Sequence, residues 1–155
     1  MLTPAADARW RAARPFAWLG VAAIIAGGLV AAAVAHRPVQ QLVWMSAYLV
    51  LIVGAAQIVF GAGQAWLSDR APSPGWVAGE WVVFNLGNAG VIAGTLAGSF
   101  GLAVAGTALF ALGIALFLWG THGGVRAGWL LGYRTLLGLI FLSSLVGLAL
   151  SLHAH

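Results

Sequence analysis

The sequence predicts an all-α integral membrane protein, a compact bundle of five transmembrane helices. Five apolar stretches, near residues 16–35, 42–66, 79–98, 101–120 and 129–152, take up most of the 155 residues. Each is close to the ~20 residues that a helix needs to cross a bilayer. Hydrophobic residues make up 62% of the chain and charged residues 6%, against roughly a quarter charged in an average soluble domain. So few charges cannot cover a water-facing surface, and lipid must be the main solvent. The length fits one domain, and the longest polar stretch, residues 69–79, is too short to fold alone.

The first apolar segment follows Arg9, Arg11 and Arg14 and ends on Ala33-Val34-Ala35, which has the layout of a signal peptide. Its run from Phe16 to Ala35 exceeds the ~7–15 residues of a signal core, so a retained transmembrane helix is expected. Pro15 and Pro38 suit the first turns of the first and second helices, where a missing N–H removes no bond. The second helix carries Gly54 and Gly61 seven apart, interleaved with Gln57 and Gln64. Pro72 and Pro74 fall in the longest loop. The third helix is expected to begin near Glu80, where a carboxylate favours a helix N-terminus. It carries Asn85, Asn88 and Thr95 on one stripe, and Gly90, Gly94 and Gly98 at spacing four.

The turn Gly98-Ser99-Phe100-Gly101 is short enough to make the third and fourth helices antiparallel neighbours. The fourth carries Gly106 and Gly113 at spacing seven. A Gly-rich connection, residues 120–124, leads to the fifth, which opens with Gly128 and Gly132 and bears Tyr133 and Arg134. Small residues repeated on one face let helix backbones approach closely, the main route to association in lipid.

Charge placement gives a topology. Arg9, Arg11, Arg14, Arg70 and Arg126 fall on one side, with Arg134 near it, and only Arg37 on the other. The positive-inside rule then puts the N-terminus in the cytoplasm and the C-terminus outside, in a bacterial-type cytoplasmic membrane. Seven of the eight tryptophans lie at or near cytoplasmic helix ends and Trp44 at the outer one, as an interfacial anchor would. The net charge of +4 is spread along helix flanks, so no nucleic-acid surface is expected.

Polar groups in hydrocarbon are costly, and function would show there. Gln57, Gln64, Glu80, Asn85, Asn88, Tyr133 and Arg134 fall in the inner half of the predicted bundle. Aligning the second and third helices puts Gln57 level with Asn88, each roughly 12–14 Å in, which predicts an amide–amide bond. Arg134, about 9 Å in, requires a partner such as Glu80, or must snorkel to the surface. On the outer side, His36 at the end of the first helix, with His153 and His155 in a C-terminal tail expected to fray, are the candidate metal ligands. No histidine lies inside an apolar core, which argues against an intramembrane bis-histidine haem; any other cofactor is unknown. Zero cysteines excludes disulfides and thiolate sites.

These readings favour a non-catalytic accessory or structural subunit, packing in a larger membrane complex or homo-oligomer, with the lipid bilayer and other membrane chains or itself as partners. One alternative is a small-solute transporter or channel built on the inner polar cluster. The other is a redox subunit with an outer-face histidine metal site or an associated quinone.

Overall fold

The computed structural model describes residues 4–68, 70–121 and 127–152, and among these all regular structure is helical. The chain divides into two compact units, Met1–Trp66 and Leu67–His155.

The N-terminal unit pairs α1 (Pro4–Val34) with a second rod made of α2 (Gln40–Tyr48), a π-helical stretch (Leu49–Ala56) and α3 (Gln57–Leu67). α1 begins twelve residues before the apolar run. Its Ala-rich flank is a good helix former, Asp7 occupies the first turn, and Arg11 pairs with Asp7 at 3.1 Å one turn on. Pro15 therefore lies inside α1, not in its first turn. Pro38 likewise precedes the second rod, whose N-cap is Val39.

Glycines set the contact between the two rods. A Cβ on Gly54 would fall 2.5 Å from Ile24 and 3.1 Å from the Gly20 carbonyl, and one on Gly61 would fall 2.8 Å from Phe16 Cβ. From α1, Gly20 faces Gly54 and Ile58, and Gly27 faces Ser46 and Val50. The residues meeting α1 thus recur every four positions: Ser46, Val50, Gly54 and Ile58. A 3.6-residue turn would rotate such a series steadily away from its neighbour. The wider i→i+5 winding of the π-helical stretch keeps it on one line. Two polar bonds bracket this stretch, from Ser46 Oγ to the Gly27 carbonyl at 2.9 Å and from Gln57 Nε2 to the Phe16 carbonyl at 3.3 Å.

The C-terminal unit holds α4 (Pro74–Ala97), α5 (Phe100–Gly120) and α6 (Ala127–Leu152). α4 begins well before residue 79. Ser73 is its N-cap, accepting the Trp76 N–H at 3.2 Å, and Pro74 fills the first helical position. α4 ends at Gly98, whose φ of 61° is left-handed. The Ser99 N–H bonds the Gly94 carbonyl at 2.9 Å and the Gly98 N–H bonds that of Thr95, a Schellman-type stop. Gly98, expected in the packing ridge, meets nothing within 4 Å there; its role is the turn.

α4 and α5 then fold back to back. A Cβ on Gly87 would lie 2.4 Å from Phe110 N, on Gly90 2.8 Å from Gly106 Cα, and on Gly94 2.4 Å from Ala103 N. From the other side, one on Gly106 would lie 2.4 Å from Val91 N, and one on Gly113 3.0 Å from Phe84 Cα. Each pairing is nearly equidistant along the chain from the Gly98–Ser99 turn. Beyond this ladder Phe84 packs on Phe110 and Phe117, ring centroids 5.3 and 5.8 Å apart. α6 buries Leu130, Tyr133 and Leu137.

Among the described residues, four helices are long and apolar enough to cross a membrane: Ala6–Val34, Gln40–Leu67, Phe100–Gly120 and Gly128–Gly147. By length and composition this is a multi-pass helical membrane protein. The sequence counts five such segments. α4, at 24 residues, is long enough, but Glu80, Asn85 and Asn88 dilute its apolar character.

The glycine ladder gives a direct test. Gly94→Leu drives a side chain into the α5 backbone and should lower stability by about 1–3 kcal/mol, measured as thermal unfolding in mild detergent. Gly28→Ala, with open space around it, should be neutral or gain up to ~1 kcal/mol in helix propensity. Equal responses at the two positions would mean that the α4–α5 contact does not hold the hairpin.

Candidate functional site

α4 builds the most polar buried locus in the C-terminal unit. Because Ser73 and Pro74 start the helix, Glu80 is its seventh residue, nearly two turns in. The helix has no acid in its first turn, so the expected N-terminal role for Glu80 does not apply. Glu80 instead lies on the buried stripe Val77, Glu80, Phe84, Gly87, with 0% exposure. Trp76, one turn earlier on the same face, donates its indole N–H to Glu80 Oε1 at 2.7 Å. From α6, buried Tyr133 comes within electrostatic range of the Glu80 carboxyl.

Of the two courses the sequence leaves open for Arg134, pairing with Glu80 is not the one taken. Successive helix residues point about 100° apart, so with Tyr133 turned inward Arg134 turns out, and it is exposed. Arg11 pairs with Asp7 in the N-terminal unit, and Arg134 makes no ion pair with Glu80. The cluster therefore contains a carboxyl, an indole and a phenol, with Arg134 outside it.

At the same end of this unit, Ser68 Oγ donates to the Gly120 carbonyl at 3.1 Å, satisfying one of the carbonyls that the end of α5 leaves open. Fully buried Thr121 donates back to the carbonyl of Leu118 at 3.0 Å.

The remaining polar residues turn mostly to their own helices. Asn85 Nδ2 donates to the Trp81 carbonyl and Asn88 Nδ2 to that of Phe84, both at 2.8 Å. Thr95 and Thr107 do the same with Val91 and Ala103. Gln57, fully buried, directs its N–H to Phe16 within the N-terminal unit, where the sequence placed a bond to Asn88. Its Oε1 has no hydrogen-bond partner, and neither does Asn85 Oδ1. Gln64 is buried in α3.

No family model, characterised protein or solved structure matches this chain. Among the described residues no three His, Cys, Asp or Glu side chains come together as a metal site would require. His36 is exposed just after α1, and His153 and His155 lie outside the described residues. The site holds one carboxyl with neighbouring N–H and O–H groups, a set that can exchange hydrogen bonds.

Trp76→Phe keeps most of the apolar ring and removes the donor to a buried carboxyl. It should destabilise the protein by about 1–3 kcal/mol in detergent unfolding, while Arg134→Gln leaves the same midpoint in place. A midpoint lowered by Arg134→Gln and untouched by Trp76→Phe would reverse this assignment of the cluster.

Proposed function

We propose that this chain is a non-catalytic membrane subunit that crosses the bilayer five times and associates with other membrane chains, or with copies of itself, through the outer face of α6. The observation that carries this reading is a contrast among glycines. Those of the α4–α5 ladder, with Gly20, Gly27, Gly54 and Gly61, are filled by a neighbouring helix, whereas all four glycines of α6, Gly128, Gly132, Gly138 and Gly147, meet nothing within 4 Å. A helix-interior glycine costs about 1 kcal/mol against alanine, and close approach by another helix offsets this. Gly128, Gly132, Leu139 and Val146 fall on one exposed stripe of α6, opposite the face that buries Tyr133 and Leu137.

The hydrogen bonds favour the same reading over transport. The donors of Asn85, Asn88, Thr95 and Thr107 return to their own backbones, which leaves them poorly placed to line a polar path. The absence of Arg134 from the Glu80 cluster removes the cation that a transport mechanism would have used.

The fifth crossing rests on α4. Its 24 residues extend about 36 Å, and the ladder pairs it level by level with α5, an apolar span. A helix held backbone to backbone against a spanning helix shares its depth. With five crossings, the arginine distribution favours a cytoplasmic N-terminus and an outer C-terminus in a bacterial-type cytoplasmic membrane.

Two measurements test this. Native mass analysis in mild detergent should find the wild type with further chains bound or self-associated, and Gly128→Leu/Gly132→Leu should release a folded monomer. A wild type that is always a lone monomer would sink the subunit reading. Tags at the two termini of intact cells should be accessible from opposite compartments; the same compartment for both would remove the fifth crossing.

A further inference from the structure

We propose that Arg134 and Gly138 form a docking site for one anionic phospholipid on the lipid-facing surface of α6. The proposal rests on the membrane reading above. It uses a stripe about 100° around α6 from the one assigned to protein partners.

Arg134 lies within the apolar span Gly128–Gly147, about 10 Å from the start of α6. It is exposed, and no carboxylate pairs with it among the described residues. A guanidinium at that depth is unfavourable in hydrocarbon and is relieved by snorkelling to the headgroup layer, where a lipid phosphate can supply the anion. Helical side chains lean toward the helix N-terminus. Arg134 therefore leans toward the start of α6, where exposed Trp129, on another face, marks the interfacial layer in which lipid phosphates lie. The planar fork of guanidinium N–H donors matches two phosphate oxygens at once. An anionic headgroup neutralises the cation, whereas a zwitterionic one brings its own positive charge.

A second feature lies one turn deeper. Gly138 follows Arg134 by four residues, hence on the same stripe, and a Cβ there would meet nothing within 4 Å. The stripe continues through Leu131, Leu142 and Leu145, all exposed. A cation near the interface above an open notch with leucine walls has the form of a headgroup contact above an acyl-chain groove.

The test uses the full chain in phosphatidylcholine vesicles carrying a trace of spin-labelled phosphatidylglycerol or phosphatidylcholine, with the motionally restricted fraction read by electron spin resonance. Phosphatidylglycerol should be preferred. Arg134→Gln should lower that preference by up to about five-fold, as expected for one basic residue near the surface, and Arg134→Lys by less. Gly138→Leu, which retains the cation, should lower it as well and serves as the second arm if Arg134→Gln fails to fold. An unchanged preference in both variants overturns the site. So does a wild-type preference abolished by orthophosphate in the aqueous phase, which would assign the arginine to free anions. Gly128→Leu/Gly132→Leu should leave the preference intact whether or not the chain assembles, so the two proposals fail separately.

Discussion

Helix backbones can touch only where neither carries a side chain, and the α4–α5 hairpin depends on that constraint. With facing backbone atoms as close as 2.4 Å to where a Cβ would stand on Gly87, Gly94 or Gly106, neither helix can slide or rotate without a collision. The left-handed turn at Gly98 sets the register from one end, and the Phe84–Phe110–Phe117 cluster continues the contact at the other. This fixes the depth of everything else on α4. Glu80 and Trp76 lie where they do because the ladder holds the helix in place. In lipid, where apolar association has little driving force, such contact carries much of the adhesion.

The polar residues follow from the same economy of space. An amide or hydroxyl on a tightly packed helix has few partners nearby except its own backbone one turn back, and Asn85, Asn88, Thr95 and Thr107 use it. The polar links from Ser46, Gln57 and Ser68 to another part of the fold each end on a backbone carbonyl. Glu80 differs: it is a carboxyl on the buried stripe, held by an indole from its own helix.

The helical class and the existence of long apolar spans were legible because composition and length decide them. The close-packed glycines at 54, 61, 90, 94, 106 and 113 were visible as spacing patterns, though Gly20, Gly27 and Gly87 went unnoticed beside them. Helix limits were harder to read. Apolar runs mark what lipid can hold, whereas Ser73-Pro74 and the Ala-rich flank after Pro4 mark where hydrogen bonding begins. Placing the start of α4 at residue 79 also misjudged Glu80, turning a buried carboxyl into an N-terminal one. Tyr133 and Arg134 show the limit of reasoning by depth: adjacent residues share a depth but not a face. The π-helical stretch has no signature in residue type, since it arises from the match between two rods.

The mixed character of α4 bears on how the protein is made. A segment with Glu80, Asn85 and Asn88 partitions weakly into lipid when it leaves the ribosome alone. The segment that follows is among the most apolar of the chain and is joined to it by the two-residue Gly98–Ser99 link. Packed face to face through the glycine ladder, α4 and α5 can partition as one hairpin, the apolar α5 offsetting the polar side chains of α4. The glycine face would thus act first as an aid to biogenesis, before any mature partner is met.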